Sequence, residues 1–472
     1  MESRIRTKEG LAFDDVLLVP RHSTVHPRQV EVSSRLTRDI PLNIPFVAAA
    51  MDTVTESEMA IAMARHGGIG VIHKNMPIDR QVSEVDRVKR SESGMILDPI
   101  TLPPDRPIRD ALHLMARFRI SGVPIVDQKR MLVGIITNRD LQFEKDLNRP
   151  IKDVMTSSKL ITAPIGTSLD EAQRILGRHK VEKLPVVGAD GTLKGLITVK
   201  DIFKRQQYPG ANKDKHGRLL VAAAVGASKD TIVRARALVD AGCDVLCVDS
   251  AHGHSEGVLN AIAELREALP DAQIIGGNVA TLSGACALVE RGVDAVKVGV
   301  GPGSICTTRV VTGVGVPQLT AILDAVSGAK DIPVIADGGV KYSGDAVKAL
   351  AAGASSVMIG SWFAGTHESP GDVHRDADGR LFKESFGMAS ARAVKGRTEG
   401  ESAFDRTRKA LFEEGISTAR MYLEPERPGV EDLLDRIVAG LRSSMTYAGA
   451  RTLEEFHQRA VVGVQSAAGY AE

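Results

Sequence analysis

The sequence has few cysteines, no long apolar run and no excess of charge of either sign. Its four cysteines, at positions 243, 247, 286 and 306, are too few and too irregularly spaced for a disulfide framework or a zinc cluster. No stretch approaches the roughly 18 uninterrupted apolar residues of a membrane span, and the N-terminus has no apolar signal region. Lys and Arg (60) balance Asp and Glu (59), so no net field attracts nucleic acid or an anionic membrane. We therefore expect a cytoplasmic protein whose partners are small molecules.

What the sequence does contain is a series of short apolar runs, each followed by a helical pattern. This alternation predicts β/α units around a buried parallel sheet. The runs span residues 44–52, 67–75, 219–226, 243–255, 273–281, 294–304, 332–339 and 356–365. Eight such strands predict a (β/α)8 barrel of the α/β class, in which the residues that follow the strands gather at one face and form the active site.

The segment between the second and third runs breaks this rhythm and repeats itself. The stretches RISGVPIVDQKRMLVGIITNRDL and KVEKLPVVGADGTLKGLITVKDI align with a constant offset of 61 residues, which pairs Pro124 with Pro185. The repeat resembles a tandem pair of cystathionine-β-synthase-type (CBS) modules inserted into a barrel loop. We therefore predict an N-terminal barrel part (1–92), a regulatory CBS pair (93–206) and a C-terminal barrel part with a cysteine loop and a flap (207–472).

The CBS resemblance implies a site for an adenine or guanine nucleotide. In that family, the Thr and Asp of an I-T-x-x-D pattern contact the ribose and phosphates, which points to Thr137, Asp140, Thr198 and Asp201. The alternative is that both pairs are structural and that the two aspartates only cap helices.

The loop GVGPGSICTTR, residues 299–309, places one cysteine among glycines after an apolar run. Glycine amides and the nearby Arg309 favour a thiolate, so Cys306 is a candidate nucleophile at the rim of the barrel. The alternative is that Cys306 is small, buried and inert, and the local sequence leaves both open. The other three cysteines are expected to pack in the core or against helices.

The loops after the last two runs predict a phosphorylated ligand. The stretches IADGG (335–339) and IGSWFAG (359–365) supply backbone amides and a serine where barrels commonly bind phosphate. Glycines also end strands for steric reasons, but their combination with the cysteine loop makes the signal specific.

Motifs along almost the entire chain resemble the inosine-5′-monophosphate (IMP) dehydrogenase and guanosine-5′-monophosphate (GMP) reductase family. They are FDDVLLVP, AAMDTVTE, GGIGVIHKN, GVGPGSICTTRVVTGVGVPQ, ADGGVKYSGD, GSWFAGTHESPGD and GLRSSMTYAGA. The resemblance implies that Cys306 adds to C2 of a purine nucleotide and that a nicotinamide cofactor exchanges hydride with that carbon.

The same resemblance implies a role for each matching residue; the alternative for each polar residue is a hydrogen bond that braces a loop. Those implied to bind the nucleotide phosphate are Ser304, Gly339, Gly360 and Ser361. Asp337 is implied to bind the ribose and Met388 the base, while Asp249 and Asn278 would face the nicotinamide riboside. The family's Tyr-Arg-Gly-Met is replaced here by SFGM (385–388), which removes one phosphate contact.

The flap residues lead us to predict the reductase reaction. The family's dehydrogenases use an Arg-Tyr pair as the base, whereas Arg406 is followed here by Thr407. Thr308 and Glu414 match the reductase residues that move protons around departing ammonia, with Glu413 as an alternative to Glu414. CBS inserts, by contrast, are typical of the dehydrogenases.

We accordingly predict a GMP reductase that converts GMP to IMP and ammonia. The first alternative is an NAD-dependent IMP dehydrogenase, and the second is a catalytically silent nucleotide sensor. Family habit implies NADPH as the cofactor, a monovalent cation such as K⁺ at Gly301, Gly303 and Cys306, and a homotetramer that can pair into an octamer.

Overall fold

The computed structural model describes residues 9–91, 95–96, 99–118, 120–386 and 418–471. The chain divides into two compact units. One unit contains residues 1–91, 210–214 and 219–472, and the other contains residues 92–209 and 215–218. The three segment boundaries given above stay predictions.

The first unit is built on a closed barrel of eight parallel strands. In chain order, barrel strands 1 to 8 are Phe46–Ala48, Ile69–Ile72, Ala222–Val225, Val245–Asp249, Gln273–Val279, Ala295–Val298, Val334–Asp337 and Ser356–Ile359. Each strand pairs with the next, and strand 8 pairs with strand 1. Every predicted apolar run contains one of these strands, so the prediction of a (β/α)8 barrel is confirmed.

A helix follows each strand and covers the outside of the barrel. These helices are Ser57–Arg65, Ile78–Ser91, Thr231–Asp240, Glu256–Ala268, Leu282–Glu290, Gln318–Ala329, Ser343–Ala351 and Val430–Ala448. Side chains alternate along the strands, because those on one face pack inside the barrel while their neighbours pack under the helices. Val47, Ala222 and Ile335 belong to the inner cluster, whereas Phe46, Ala223 and Ala336 belong to the outer one. Burial of both faces explains why the strands are predominantly apolar rather than alternating apolar and polar residues.

The first unit also contains shorter helices and three small antiparallel sheets. The helical ones are Phe13–Asp15, Pro27–Gln29, Thr308–Thr312, Ser361–Ala364, Leu453–Arg459 and Ala467–Ala471. Three antiparallel sheets pair Val16–Leu18 with Val462–Val464, Ser34–Arg35 with Pro41–Leu42, and Leu381–Phe386 with both His374–Arg375 and Thr418–Tyr422. The last of these sheets lies between barrel strand 8 and its covering helix in sequence.

The second unit consists of two similar halves, as the internal repeat predicts. The first half contains Ile108–Phe118, Gly122–Val126, Leu132–Thr137, Asn138–Leu141 and Ile151–Asp153. The second half contains Ala163–Pro164, Leu169–His179, Lys183–Val187, Leu193–Thr198 and Val199–Gln207. Each half has its own hydrophobic core, one around Ile125 and the other around Val186. The prediction of a barrel with an inserted pair of repeated modules is therefore confirmed.

Candidate active site

A lysine within barrel strand 6 joins side chains from the ends of three other strands. The side chain of Lys297 is only 2% exposed, and its Nζ donates to Oδ1 of Asp249 and Oδ2 of Asp337, each at 2.8 Å. It also donates to Oδ1 of Asn278. Burial opposes the charge of this ammonium, but the two carboxylates outweigh burial and raise the pKa of Lys297 above its ordinary value. Lys297 is therefore a cation held between residues predicted to bind two different ligands.

Asn278 links this cluster to the cysteine loop. Its Nδ2 donates to the carbonyl oxygen of Gly299 at 2.8 Å and to Oδ2 of Asp337 at 2.9 Å. A Cβ at position 299 would lie 2.0 Å from the carbonyl oxygen of Asp337, so only glycine allows the ends of strands 6 and 7 to approach this closely. Steric crowding therefore explains why the first residue of GVGPGSIC is a glycine.

The thiol of Cys306 lies on an exposed loop between strand 6 and the helix Thr308–Thr312. Its Sγ donates to Oγ1 of Thr308 at 3.3 Å, and its backbone N–H donates to the carbonyl of Gly303 at 3.0 Å. Arg309 packs against Gly301, and its Nη2 donates to the carbonyl of Val316 at 2.7 Å. Cys306 is therefore not buried, whereas the alternative interpretation required burial.

The loops predicted to bind phosphate lie against one another. Oγ of Ser304 donates to Oγ of Ser361 at 2.9 Å, which connects the loop after strand 6 with the loop after strand 8. Gly360 immediately precedes the short helix that begins at Ser361. Gly339 has φ of +82°, and a Cβ there would lie 3.4 Å from Pro302 of the cysteine loop. The geometry therefore brings these residues to one rim of the barrel.

Sequence reasoning missed Lys297 and two polar residues that follow strand 2, Lys74 and Asn75. Lys297 lies within the apolar run DAVKVGV, and a buried lysine there requires partners that the local sequence does not name. Nζ of Lys74, after strand 2, donates to the backbone carbonyl of Asp249. Nδ2 of Asn75 donates to Oδ2 of Asp52 at 2.7 Å. A charged residue inside an otherwise apolar strand is the signal that could have identified Lys297.

Several predicted residues lie outside the described part of the chain. They are Met388, Arg406, Thr407, Glu413 and Glu414. The strand Leu381–Phe386, which precedes them, contacts the segment after barrel strand 1. Oγ of Ser385 and Oγ1 of Thr53 form a buried hydrogen bond of 2.9 Å.

In the second unit, the predicted nucleotide residues form helix caps. The backbone N–H and the hydroxyl of Thr137 both donate to Oδ2 of Asp140 at 2.7 Å. Thr198 and Asp201 repeat the arrangement, with distances of 3.0 and 2.6 Å. Both aspartates thus make the capping contacts of the structural alternative. Nucleotide binding at these residues stays a prediction.

Comparisons with known proteins place these features in a family context. Residues 10–472 match the sequence model of the "IMP dehydrogenase / GMP reductase domain". An inosine-5'-monophosphate dehydrogenase from Aquifex aeolicus (strain VF5) is 53% identical over 476 residues, which cover 100% of this chain and 96% of that protein. The enzyme of the same name from Bacillus subtilis (strain 168) is 53% identical over 470 residues, with 99% and 95% covered. A solved structure of a cysteine-to-alanine GMP reductase variant from Trypanosoma brucei, in complex with guanosine 5'-monophosphate, has a TM-score of 0.89 and 38% identity, covering 98% of this chain and 97% of that chain.

These relatives correct the predicted direction of the reaction. The proteins that are 53% identical over essentially the whole chain are named IMP dehydrogenases, whereas the reductase structure is 38% identical. The prediction of a GMP reductase, as a function and as an enzyme class, is therefore wrong. The relatives give no support to the NADPH preference that accompanied it. A catalytic part for Thr308 and Glu414 stays a prediction, without the role in ammonia release.

Within the described residues, no helix is long and apolar enough to cross a membrane. The same part of the chain contains no group of three or more His, Cys, Asp or Glu residues that could hold a metal ion.

Proposed function

Because the chain belongs to the IMP dehydrogenase / GMP reductase family, we propose that it oxidises IMP to xanthosine 5′-monophosphate (XMP), with NAD as the hydride acceptor. The observation that carries this proposal is the identity of 53%, over the full length of the chain, to proteins named IMP dehydrogenases. The exposed Cys306 at the rim of the barrel supports it, since a nucleophile must reach its substrate. Members of this family use a nicotinamide dinucleotide as the oxidant or reductant.

In the proposed reaction, the thiolate of Cys306 adds to C2 of the purine ring. The C2–H bond would then break, and a nicotinamide dinucleotide held at Asp249 and Asn278 would accept its electron pair as hydride. Water next attacks C2 of the enzyme-bound nucleotide, the C–S bond breaks, and XMP leaves while the thiol is restored. The hydroxyl of Thr308, which lies 3.3 Å from Sγ, would orient the thiol for the first step.

The proposed nucleotide site joins the loops after strands 6, 7 and 8. The phosphate would be held by the linked hydroxyls of Ser304 and Ser361 and by the backbone at Gly339 and Gly360. The carboxylate of Asp337 would accept hydrogen bonds from the ribose hydroxyls. Met388 is proposed to contact the base.

Asp249 and Asn278 fit a nicotinamide riboside. They end strand 4 and lie on strand 5, and Lys297 fixes both side chains through their Oδ1 atoms. A fixed carboxylate beside an amide suits the vicinal hydroxyls of a ribose, because both groups accept hydrogen bonds.

Further proposals follow from the family resemblance. They are a monovalent cation at Gly301, Gly303 and Cys306, regulation by a purine nucleotide at the inserted unit, assembly into a homotetramer, and a cytoplasmic location.

The test is to incubate the purified protein with IMP and NAD and to follow absorbance at the wavelength of reduced nicotinamide, with XMP quantified by chromatography. We expect equal amounts of XMP and NADH. Oxidation of NADPH in the presence of GMP, without any XMP from IMP and NAD, would contradict the proposal. The Cys306→Ala variant is the control for cysteine-independent absorbance changes.

A further inference from the structure

We propose that Lys297 is a positioning residue that makes nucleotide binding and cofactor binding depend on each other. Its single ammonium is shared by Asp337, on the nucleotide side, and by Asp249 and Asn278, on the cofactor side. This inference rests on the proposed function, because it uses the ligands assigned there to the two carboxylates.

The contacts of Lys297 leave little freedom to its partners. The two carboxylate oxygens lie at equal distances of 2.8 Å from Nζ, and each carboxylate side chain is 21% exposed while the lysine is 2% exposed. Nδ2 of Asn278 also donates to the same oxygen of Asp337 that Lys297 contacts. The four side chains, from barrel strands 4, 5, 6 and 7, therefore form one connected polar network in a buried setting.

In such a network, a ligand that binds at one end restricts the orientation of the side chains at the other end. A ribose that bonds to Asp337 holds that carboxylate, which holds the ammonium and thereby Asp249. The second ligand then meets a carboxylate whose motion is already restricted, so it loses less conformational freedom on binding. The effect must be equal in both directions, because coupling between two binding equilibria is reciprocal.

Removing the ammonium should change the electrostatic interaction between the two carboxylates. The charged and titratable groups around Lys297 are Asp249, Asp337, the thiol of Cys247 and, on the carbonyl of Asp249, the ammonium of Lys74. Without Lys297, the two carboxylates repel each other and lose the donor that orients them, so each ligand meets a carboxylate that the other ligand no longer restricts.

Binding is measured by calorimetry in a Cys306→Ala parent, which holds IMP and NAD together without turnover. The quantity of interest is the ratio of the NAD dissociation constants without and with saturating IMP. The variants are Lys297→Met and Lys297→Arg. The matched control is Lys89→Met. Lys89 is also a buried lysine that contacts two aspartates, Asp214 and Asp244, but it contacts neither Asp249 nor Asp337.

In the parent, we expect a ratio of about 5 to 150, the usual range for coupled sites. Lys297→Met should lower the ratio at least several-fold, because only the direct bond between Asn278 and Asp337 then connects the two sides. Lys297→Arg should retain most of the coupling, because it keeps the charge and several donors. Lys89→Met should lower the melting temperature and leave the ratio unchanged.

An unchanged ratio in Lys297→Met, or an equal loss in Lys89→Met, would overturn the inference and leave the proposed function intact. Failure of the parent to bind IMP at all would instead contradict the proposed function. If Lys297→Met does not fold, Asp249→Ala decides: it removes the carboxylate from the cofactor side of the network, so it should lower the ratio several-fold and keep the affinity for IMP alone. An unchanged ratio in Asp249→Ala would overturn the inference.

Discussion

At the scale of single residues, the four cysteines differ in how far water reaches their thiols. Burial raises the pKa of the Cys243 and Cys247 thiols to about 12, so both remain neutral at physiological pH. Cys286 is half-buried and donates to the carbonyl of Gly328 at 3.5 Å. Cys306 alone among the four is exposed, which makes it the thiol that a substrate can reach.

Replacement of this thiol should separate chemistry from binding. Cys306→Ala is expected to abolish XMP formation while IMP binding changes little, because the proposed phosphate and ribose contacts come from other side chains and loops. Steady-state kinetics and calorimetry with IMP measure the two effects. Cys286→Ala is the control and should retain turnover. Turnover of Cys306→Ala within tenfold of the unmodified enzyme would rule out covalent catalysis.

A second residue-scale prediction concerns position 407, outside the described residues. The family's dehydrogenases have tyrosine after the flap arginine, and this chain has Thr407. If Arg406 activates the water, Thr407→Tyr should speed hydrolysis of the enzyme-bound nucleotide, by up to about 10²-fold for an improved general base. Rapid-quench measurement of XMP release tests this. Thr407→Phe, which lacks the hydroxyl, should show no gain, and an equal gain in both variants would exclude a role for the phenol.

Single residues also mark the limit of sequence-based prediction at the site. Cys306, Ser304, Asp337 and Ser361 could be named because they follow apolar runs in recognisable motifs. Lys297 could not, because its role depends on carboxylates that lie 48 and 40 positions away and meet only in the closed barrel. A buried charge is defined by its partners, and sequence order does not reveal them.

At the scale of elements, the barrel helix that precedes the inserted unit in sequence carries a buried lysine that contacts two aspartates. Lys89 lies near the end of the helix Ile78–Ser91 and is 3% exposed. Its Nζ contacts Oδ2 of Asp214 at 3.1 Å, Oδ2 of Asp244 at 2.6 Å and the carbonyl of Leu219 at 2.9 Å. Residues 89 and 214 flank the insertion, so this contact holds together the two barrel segments that the insertion separates.

Lys89→Met should therefore destabilise the barrel. It removes the ammonium that two largely buried carboxylates share, and breaking a buried ion pair costs about 3–5 kcal/mol of the free energy of unfolding. Urea unfolding at neutral pH, followed by circular dichroism, measures the loss. The matched control is Arg90→Met on the same helix, which removes an exposed pair with Asp86 worth about 0.3–0.5 kcal/mol. Equal losses in both variants would contradict the structural role of Lys89.

Elements were the level at which the sequence was most informative. Each barrel strand is buried on both faces, so most of its residues are apolar and the run is visible without an alignment. The inserted halves were visible because a duplicated segment keeps the same residue types at a fixed offset. The small antiparallel sheet around Leu381–Phe386 was not predicted, because its strands contain lysine, glutamate and serine without a clear alternation.

At the scale of the whole molecule, the direction of the reaction depends on every contact that favours one nucleotide over another. A few flap residues are a small part of those contacts, so by themselves they predict the wrong direction. The identity of 53% spans all of those contacts together, and it favours the dehydrogenase. Local departures such as Thr407 are better treated as substitutions to test within that reaction.

The inserted unit should be removable without loss of the barrel. Because the contact between Lys89 and Asp214 brings the flanking segments together, a short Gly/Ser linker in place of residues 93–206 should close the gap. We expect an active enzyme whose IMP saturation curve no longer responds to ATP, in contrast to the full chain. Steady-state kinetics with and without ATP provide the comparison. Identical curves for the full chain, while calorimetry shows ATP bound, would contradict regulation through this unit.

Because a long segment separates barrel strands 2 and 3 in sequence, strand 3 is synthesised well after strand 2. Strands 1 and 2 end at Ile72, and strand 3 begins only at Ala222. At about 5–20 residues per second, a ribosome needs on the order of 7–30 seconds to make the chain between them. During that interval the two-stranded edge has no neighbour, because its pairing partners in strands 3 and 8 do not yet exist. The nascent chain therefore presents an apolar, unpaired edge that chaperones can bind, and it loses that edge only when the last barrel strand has emerged.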